Sequence, residues 1–201
     1  MQESAGTITK FPGNDWLEDK LRVTTPERTI AFIHGVIRGA AANPLAITQE
    51  KILGEALGDV DVRNLPQTDR EELKLGLLHL LRAVLGSIQS QDFFPEAVNP
   101  DSHAEPDDFR VLENAAALSE GFLKGFRLRR PPTGVRLTNA NSWLRDVKKE
   151  GEWCRMMAGD SILWTRTFPD APSRSQVAWD ALSWIEECMG WVALYARMDL
   201  N

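Results

Sequence analysis

Two glycines four residues apart inside an apolar helical run limit how this chain can pack more than any other feature. The run is Phe32-Ile33-His34-Gly35-Val36-Ile37-Arg38-Gly39. It has an echo at Leu118-Ser119-Glu120-Gly121-Phe122-Leu123-Lys124-Gly125. Both segments read polar-Gly-apolar-apolar-basic-Gly, and 86 positions separate them (121 minus 35). A glycine inside a helix costs about 1 kcal/mol against alanine, so four of them need compensation. Residues i and i+4 share a helix face, and two glycines there leave a notch that another backbone can enter closely. Dispersion contacts in a dense core would supply the gain. The pattern predicts that the two glycine helices, or each and its own neighbour, cross at short distance. Gly35, Gly39, Gly121 and Gly125 are therefore read as structural.

The helical signals continue along the chain. Thr25-Pro26-Glu27 suits a helix start, with threonine at the cap and proline at the first helical position. That helix is expected to run through Ile30, Ile33, Ile37 and Ala40 to Asn43, where Pro44 stops it. A short helix follows, capped by Thr48 and ended by Gly58. Thr68-Asp69-Arg70-Glu71 reads as a capping box, followed by a leucine-rich stripe from Leu73 to Ile88 that Leu75, Leu78 and Leu85 widen. So broad an apolar surface predicts a helix near the centre of a bundle. Residues 91–108 hold three prolines and six acidic residues with no lysine or arginine, which reads as an acidic loop between two helical halves. The second half opens near Pro106-Asp107-Asp108 and runs to about Leu128. Helices near 141–157 and 161–166 come next, and the final one is capped by Ser173 or Ser175. Trp16, Leu17 and Leu21 suggest an amphipathic turn docking on the body, with residues 1–15 open to fraying.

No stretch alternates with period two, so the fold class is all-α: one domain over 1–201, a bundle of about seven helices in two pseudo-related halves. The length suits a single domain. A net charge of −6 weighs against non-specific binding to nucleic acid or anionic membrane. Two cysteines, Cys154 and Cys188, are too few for a disulfide framework or a cysteine-based zinc site and fit a reducing compartment. No leader-like start and no stretch near the ~20 apolar residues of a membrane helix is visible. The expectation is a cytoplasmic protein that needs no cofactor.

The segment His34-Gly35-Val36-Ile37-Arg38-Gly39, closing on Pro44, resembles the HG-x-x-x-G signature of the YecA/YgfB family of small bacterial helical proteins. Glu120-Gly121-Phe122-Leu123-Lys124-Gly125-Phe126-Arg127-Leu128 is similar to that family's GFLxGfxL segment. Trp184-Ile185-Glu186-Glu187 and Tyr195-Ala196-Arg197 resemble its last helix more loosely. The chain departs from the family in having Leu118-Ser119-Glu120 where tryptophan and cysteine usually precede the second motif. Two cysteines cannot provide the cysteine-rich metal-binding tail in which the family's longer members end. The resemblance implies an all-helical fold and a regulatory or adaptor role, not an established catalytic activity.

Four groups of residues carry chemistry worth weighing. His34, with Glu120 at the equivalent position, is a candidate base or metal ligand, against the alternative of a histidine packed at a helix crossing. No nucleophile motif, P-loop or His-Glu-x-x-His pattern accompanies it, and no catalytic residue is assigned. Asp101, His103, Glu105, Asp107 and Asp108 lack calcium-loop spacing, so no metal site is assigned. Lys124, Arg127, Arg129, Arg130 and Arg136 form a basic cluster with no acid between 121 and 145. They can meet phosphates or an acidic partner, or complement a helix C-terminus. Six of the seven tryptophans lie after residue 142. Trp184 and Trp191 sit a heptad apart on one face, where an exposed indole would anchor an interface. The residues assigned to partner binding are thus the five cations with Trp184 and Trp191. The expected partner is another protein. Nucleic acid is disfavoured by the net charge, no membrane is expected, and a homodimer is compatible.

Overall fold

The helix over Ile30–Ala42 (α2) is buried at every one of its residues. A helix apolar on all sides must be surrounded by others, and the rest of the fold is arranged to do this. The computed structural model describes residues 12–24, 29–58, 66–90, 107–130 and 137–199, and among them every regular element is a helix.

The principal neighbour of α2 is α5, Asp108–Arg127. The two run in the same direction and touch backbone to backbone. A Cβ placed on Gly35 would fall 2.8 Å from Phe122 N and 3.0 Å from the Cα of Gly121, and closer still to the Leu118 carbonyl. One placed on Gly39 would lie 2.7 Å from Phe126 N and run into the Phe122 carbonyl. From the other side, a Cβ on Gly121 would strike the Phe32 carbonyl, and one on Gly125 the Val36 carbonyl. The contacts exchange under the 86-residue offset: Phe32 stands to Gly121 as Leu118 stands to Gly35, and Val36 to Gly125 as Phe122 to Gly39. Each notch receives the other helix.

Two longer helices complete the centre. α8 (Ala171–Met198) packs on α5 and α2, and α6 (Thr138–Gly159) on α5 and α8. Arg174 at the start of α8 lies 3.5 Å from Asp108 at the start of α5, so these two also run in parallel. α6 runs against them: Ser119 donates to the Val147 carbonyl at 2.8 Å, while Phe126 and Arg127 lie beside Asn141 and Leu144. The close approach repeats here with a different residue pair, since a Cβ on Gly151 would strike the Ser119 hydroxyl. Buried Arg38 of α2 meets Glu186 of α8 at 2.6 Å. Removing one partner of such a pair leaves a charge without compensation.

The remaining helices lie around this centre. α1 (Asn14–Thr24) docks on α4 (Gln67–Ser90); Leu17 and Leu21 are buried and the Trp16 indole lies against Gly76. α3 (Gln49–Leu57) is flanked by Thr48 and Gly58. α7 (Ser161–Thr167) is capped by Asp160, which accepts from Leu163 N at 2.8 Å.

Several expectations need correction. There are eight described helices rather than about seven, because 14–24 is a full helix. The cap of α2 is Thr29, whose hydroxyl accepts from Phe32 N at 3.2 Å; Thr25-Pro26-Glu27 lies outside the described residues. Thr68 is inside α4, which begins at Gln67, and Gln67 rather than Thr68 bonds Glu71 (3.0 Å). α4 is peripheral: Leu73, Leu77, Leu80, Leu81 and Val84 are buried, but Leu75 is 40% exposed. Its stripe is wider than the face that α1, α2 and α3 cover. α8 is capped by Asp170, which accepts from Ser173 N at 3.0 Å and from its hydroxyl at 2.7 Å. Most of the acidic loop, 91–106, lies outside the described residues.

The crossing makes a direct prediction. Gly39→Ala forces a methyl into the Phe122 carbonyl and should lower stability by about 1–3 kcal/mol despite alanine's better helix propensity. Gly54 in α3 has open space around it, so Gly54→Ala should raise stability by about 0.5–1 kcal/mol. Urea melts of the two variants check the opposite signs.

Candidate partner-binding site

α2 and α5 end together, and one side chain closes both. Asn43 follows α2 and is buried. Its amide donates to the carbonyls of Phe126 (2.6 Å) and Arg129 (2.9 Å), and its carbonyl accepts from Leu45 N (2.9 Å). Carbonyls at the end of α5 that would otherwise lack a partner are thereby satisfied. The residues after α5 are held in place as a result. Arg129 adds a second tie by donating to the Ala46 carbonyl.

α6 begins beside this end, and its cap comes from the far end of α8. The Asp199 carboxylate accepts from Asn139 N (3.1 Å) and Ala140 N (3.2 Å) and from the Asn139 amide (2.8 Å). A carboxylate suits the positive end of a helix.

Between the end of α5 and the first turns of α6 lies an open groove of about 720 Å³. Arg127, Arg129 and Arg130 form one wall, and Arg145 and Lys148 the other. Phe126, Leu137 and Leu144 supply apolar surface, and Thr138 and Asn141 complete the lining. No carboxylate is among its described lining residues. Lys148 has a loose partner in Glu152 at 3.5 Å. Arg127, Arg130 and Arg145 have no acidic partner among the described residues. The C-terminal dipole of α5 favours cations here, but one helix end does not account for Arg145 and Lys148, which stand two to three turns into α6.

The predicted cations are therefore divided. Arg127, Arg129 and Arg130 share the groove. Lys124 lies one turn earlier, bonds Glu120 at 3.0 Å, and sits 5.1 Å from the centre of the Phe32 ring. Arg136 lies outside the described residues. Arg145 and Lys148 are additions from the structure. Their signal in the sequence is their i, i+3 spacing in a helix that returns antiparallel past the basic turn.

Trp184 and Trp191 share one face of α8, and Trp143 of α6 packs against both. Its ring centre is 5.7 Å from that of Trp191, stacked, and 6.3 Å from that of Trp184, tilted. Tyr195 stacks on Trp191 at 5.9 Å. Trp184 is 42% exposed, and Trp191 donates to Glu187 at 3.3 Å. Trp143 and Leu144 are consecutive, so this aromatic face and the groove occupy neighbouring sides of α6. Trp164, by contrast, is fully buried, edge-on to Trp153 and tilted against Phe168.

His34 and Glu120 form no joint site. His34 is buried, and desolvation together with the Arg38 charge pushes its pKa down to about 3. Glu120 is partly exposed and bonds Lys124 and Arg155, the latter at 2.6 Å. Partial burial alone would raise its pKa, but the two cations outweigh that and hold it below the usual carboxylate range. Backbone fills the crossing where a catalytic cleft would be needed. Cys154 and Cys188 are buried free thiols, each pushed up to about 12 chiefly by burial. Among the described residues no cluster of histidine, cysteine and carboxylates could hold a metal. In the same residues no helix is long and apolar enough to cross a membrane.

No family model, no curated protein and no solved structure matches this chain.

The state of His34 gives a stability prediction. Unfolding exposes an imidazole that takes up a proton near its ordinary value of 6.5, whereas the folded state keeps it neutral down to about 3. The unfolded state then binds more protons as the pH falls, so this contribution is full above the unfolded value and is lost progressively toward the folded one. Stability should drop by about 2 kcal/mol between about pH 7 and about pH 5. In His34→Leu this part of the slope should vanish, as read by denaturant melts across that range.

Proposed function

We propose that this chain is a non-enzymatic interaction protein, a regulatory adaptor or inhibitor of the cytoplasm, that captures another protein at the basic end of its bundle. The observation that carries this reading is a groove with five cations and no carboxylate among its described lining residues, in a chain of net charge −6. Among the described residues Arg127, Arg130 and Arg145 have no acidic partner, and arginine presents a planar fork that matches carboxylates in pairs. The Trp143–Trp184–Trp191 face lies on the adjacent side of α6 and offers the large rigid rings that anchor protein interfaces. The glycine motifs that resemble the YecA/YgfB family agree with a regulatory role. A nucleic-acid regulator acting through the same cations is the competing reading.

Arg130→Glu with Arg145→Glu tests the proposal better than a change at Arg129, whose side chain also holds the Ala46 carbonyl. The double variant should keep the wild-type melting temperature and lose capture of its partner from an extract of the native host. Capture that survives both reversals removes the groove from the interface. A gel shift at low salt that the variant abolishes would favour nucleic acid instead.

A further inference from the structure

Charge alone does not describe the groove. Its cations stand on two walls, and Phe126, Leu137 and Leu144 share the lining with them. Phe126 and Leu137 are nearly covered, whereas Leu144, next to Arg145 in the chain, is half-buried and gives the groove a contactable apolar surface. A ligand that satisfies both parts needs anionic groups for the cations and an apolar group for Leu144. Resting on the partner-binding reading above, we infer that the groove receives a short acidic peptide segment. Its aspartates or glutamates pair with Arg127, Arg130 and Arg145, and one aliphatic or aromatic side chain sits on Leu144.

Three observations favour a peptide over a nucleic acid. The first is the field around the groove. Setting aside its five cations leaves the remainder of the chain at −11 (−6 minus 5), which repels a long polyanion but leaves a short acidic segment in the groove attracted. The second is the lining itself. Single-stranded nucleic acids are held by exposed aromatic rings between the cations; the one ring among the described lining residues, Phe126, is 6% exposed, and the exposed tryptophan face lies on another side of α6. The third is shape. A concave site of about 720 Å³ falls in the range of pockets that enclose a compact ligand, whereas a duplex is read by an element that projects into its groove.

The test measures fluorescence anisotropy of the intact chain with labelled synthetic peptides. The reference peptide is glutamate-rich with one central leucine. Two companions replace that leucine by serine or every glutamate by lysine, and a single-stranded oligonucleotide of equal charge competes. The leucine peptide should bind, and Arg130→Glu with Arg145→Glu should weaken it by about tenfold or more. Replacing the peptide's leucine by serine should weaken binding by about tenfold, the loss expected for one buried aliphatic side chain. Leu144→Ser should remove most of that leucine–serine difference without changing the serine peptide. The lysine peptide should not bind. Equal binding of the leucine and serine peptides, or displacement by the oligonucleotide at matched concentration, overturns the inference. No binding of the acidic peptide also overturns it. If host-partner capture still depends on Arg130 and Arg145 in any of these cases, the broader partner-binding reading stands and the peptide assignment alone is wrong.

Discussion

The contact on which the molecule depends is the approach of two helix backbones at four glycines. Side chains normally keep helix axes 8–10 Å apart, at a distance set by the residues between them. Here the residues between are hydrogen atoms on Gly35, Gly39, Gly121 and Gly125, and carbonyls of one helix lie where Cβ atoms of the other would be. The gain is a large area of dispersion contact formed without ordering any side chain. The arrangement also explains why α2 is buried on every side. With α5 drawn close on one face, α4, α3 and α8 can cover the others, and a buried charge such as Arg38 can reach Glu186 on α8.

The notch pattern is legible in the sequence because it is a local regularity with a steric meaning: small residues at i and i+4 inside an apolar run. The stops are legible for the same kind of reason. Pro44 ends α2, and Gly58, at φ 71, closes α3 in a conformation that glycine tolerates. What was not legible depends on distant partners. The cap of α6 is Asp199, so no signal near Thr138 marks that start. The tie between α2 and α5 is Asn43, which reads locally only as a helix end. Apolar breadth in α4 suggested centrality, but a helix can be broad in leucine and still leave Leu75 exposed at 40%. The basic cluster was half legible: Arg127, Arg129 and Arg130 are adjacent in sequence, and their opposite wall becomes apparent only when α6 is known to return antiparallel.

The position of the cations follows from the same packing. α2, α5 and α8 run in parallel, so helix C-termini with their partial negative charges gather at one end of the bundle. Cations are stabilised there in proportion to how near they lie to those ends. The end therefore tolerates a density of arginine that would repel itself elsewhere. Arg145 and Lys148 face the same end from α6, whose own first turn is of opposite polarity.

The Asp199 cap ties the start of α6 to the end of α8. The first turn of α6 obtains its terminal acceptor from a residue 60 positions away, so its free N–H groups are satisfied only with the end of α8 docked beside it. Arg145 and Lys148 stand two to three turns further along that helix. A chain with α5 in place but α8 undocked would keep the arginines that follow α5 and lose the contact that fixes the start of the helix carrying the opposite wall.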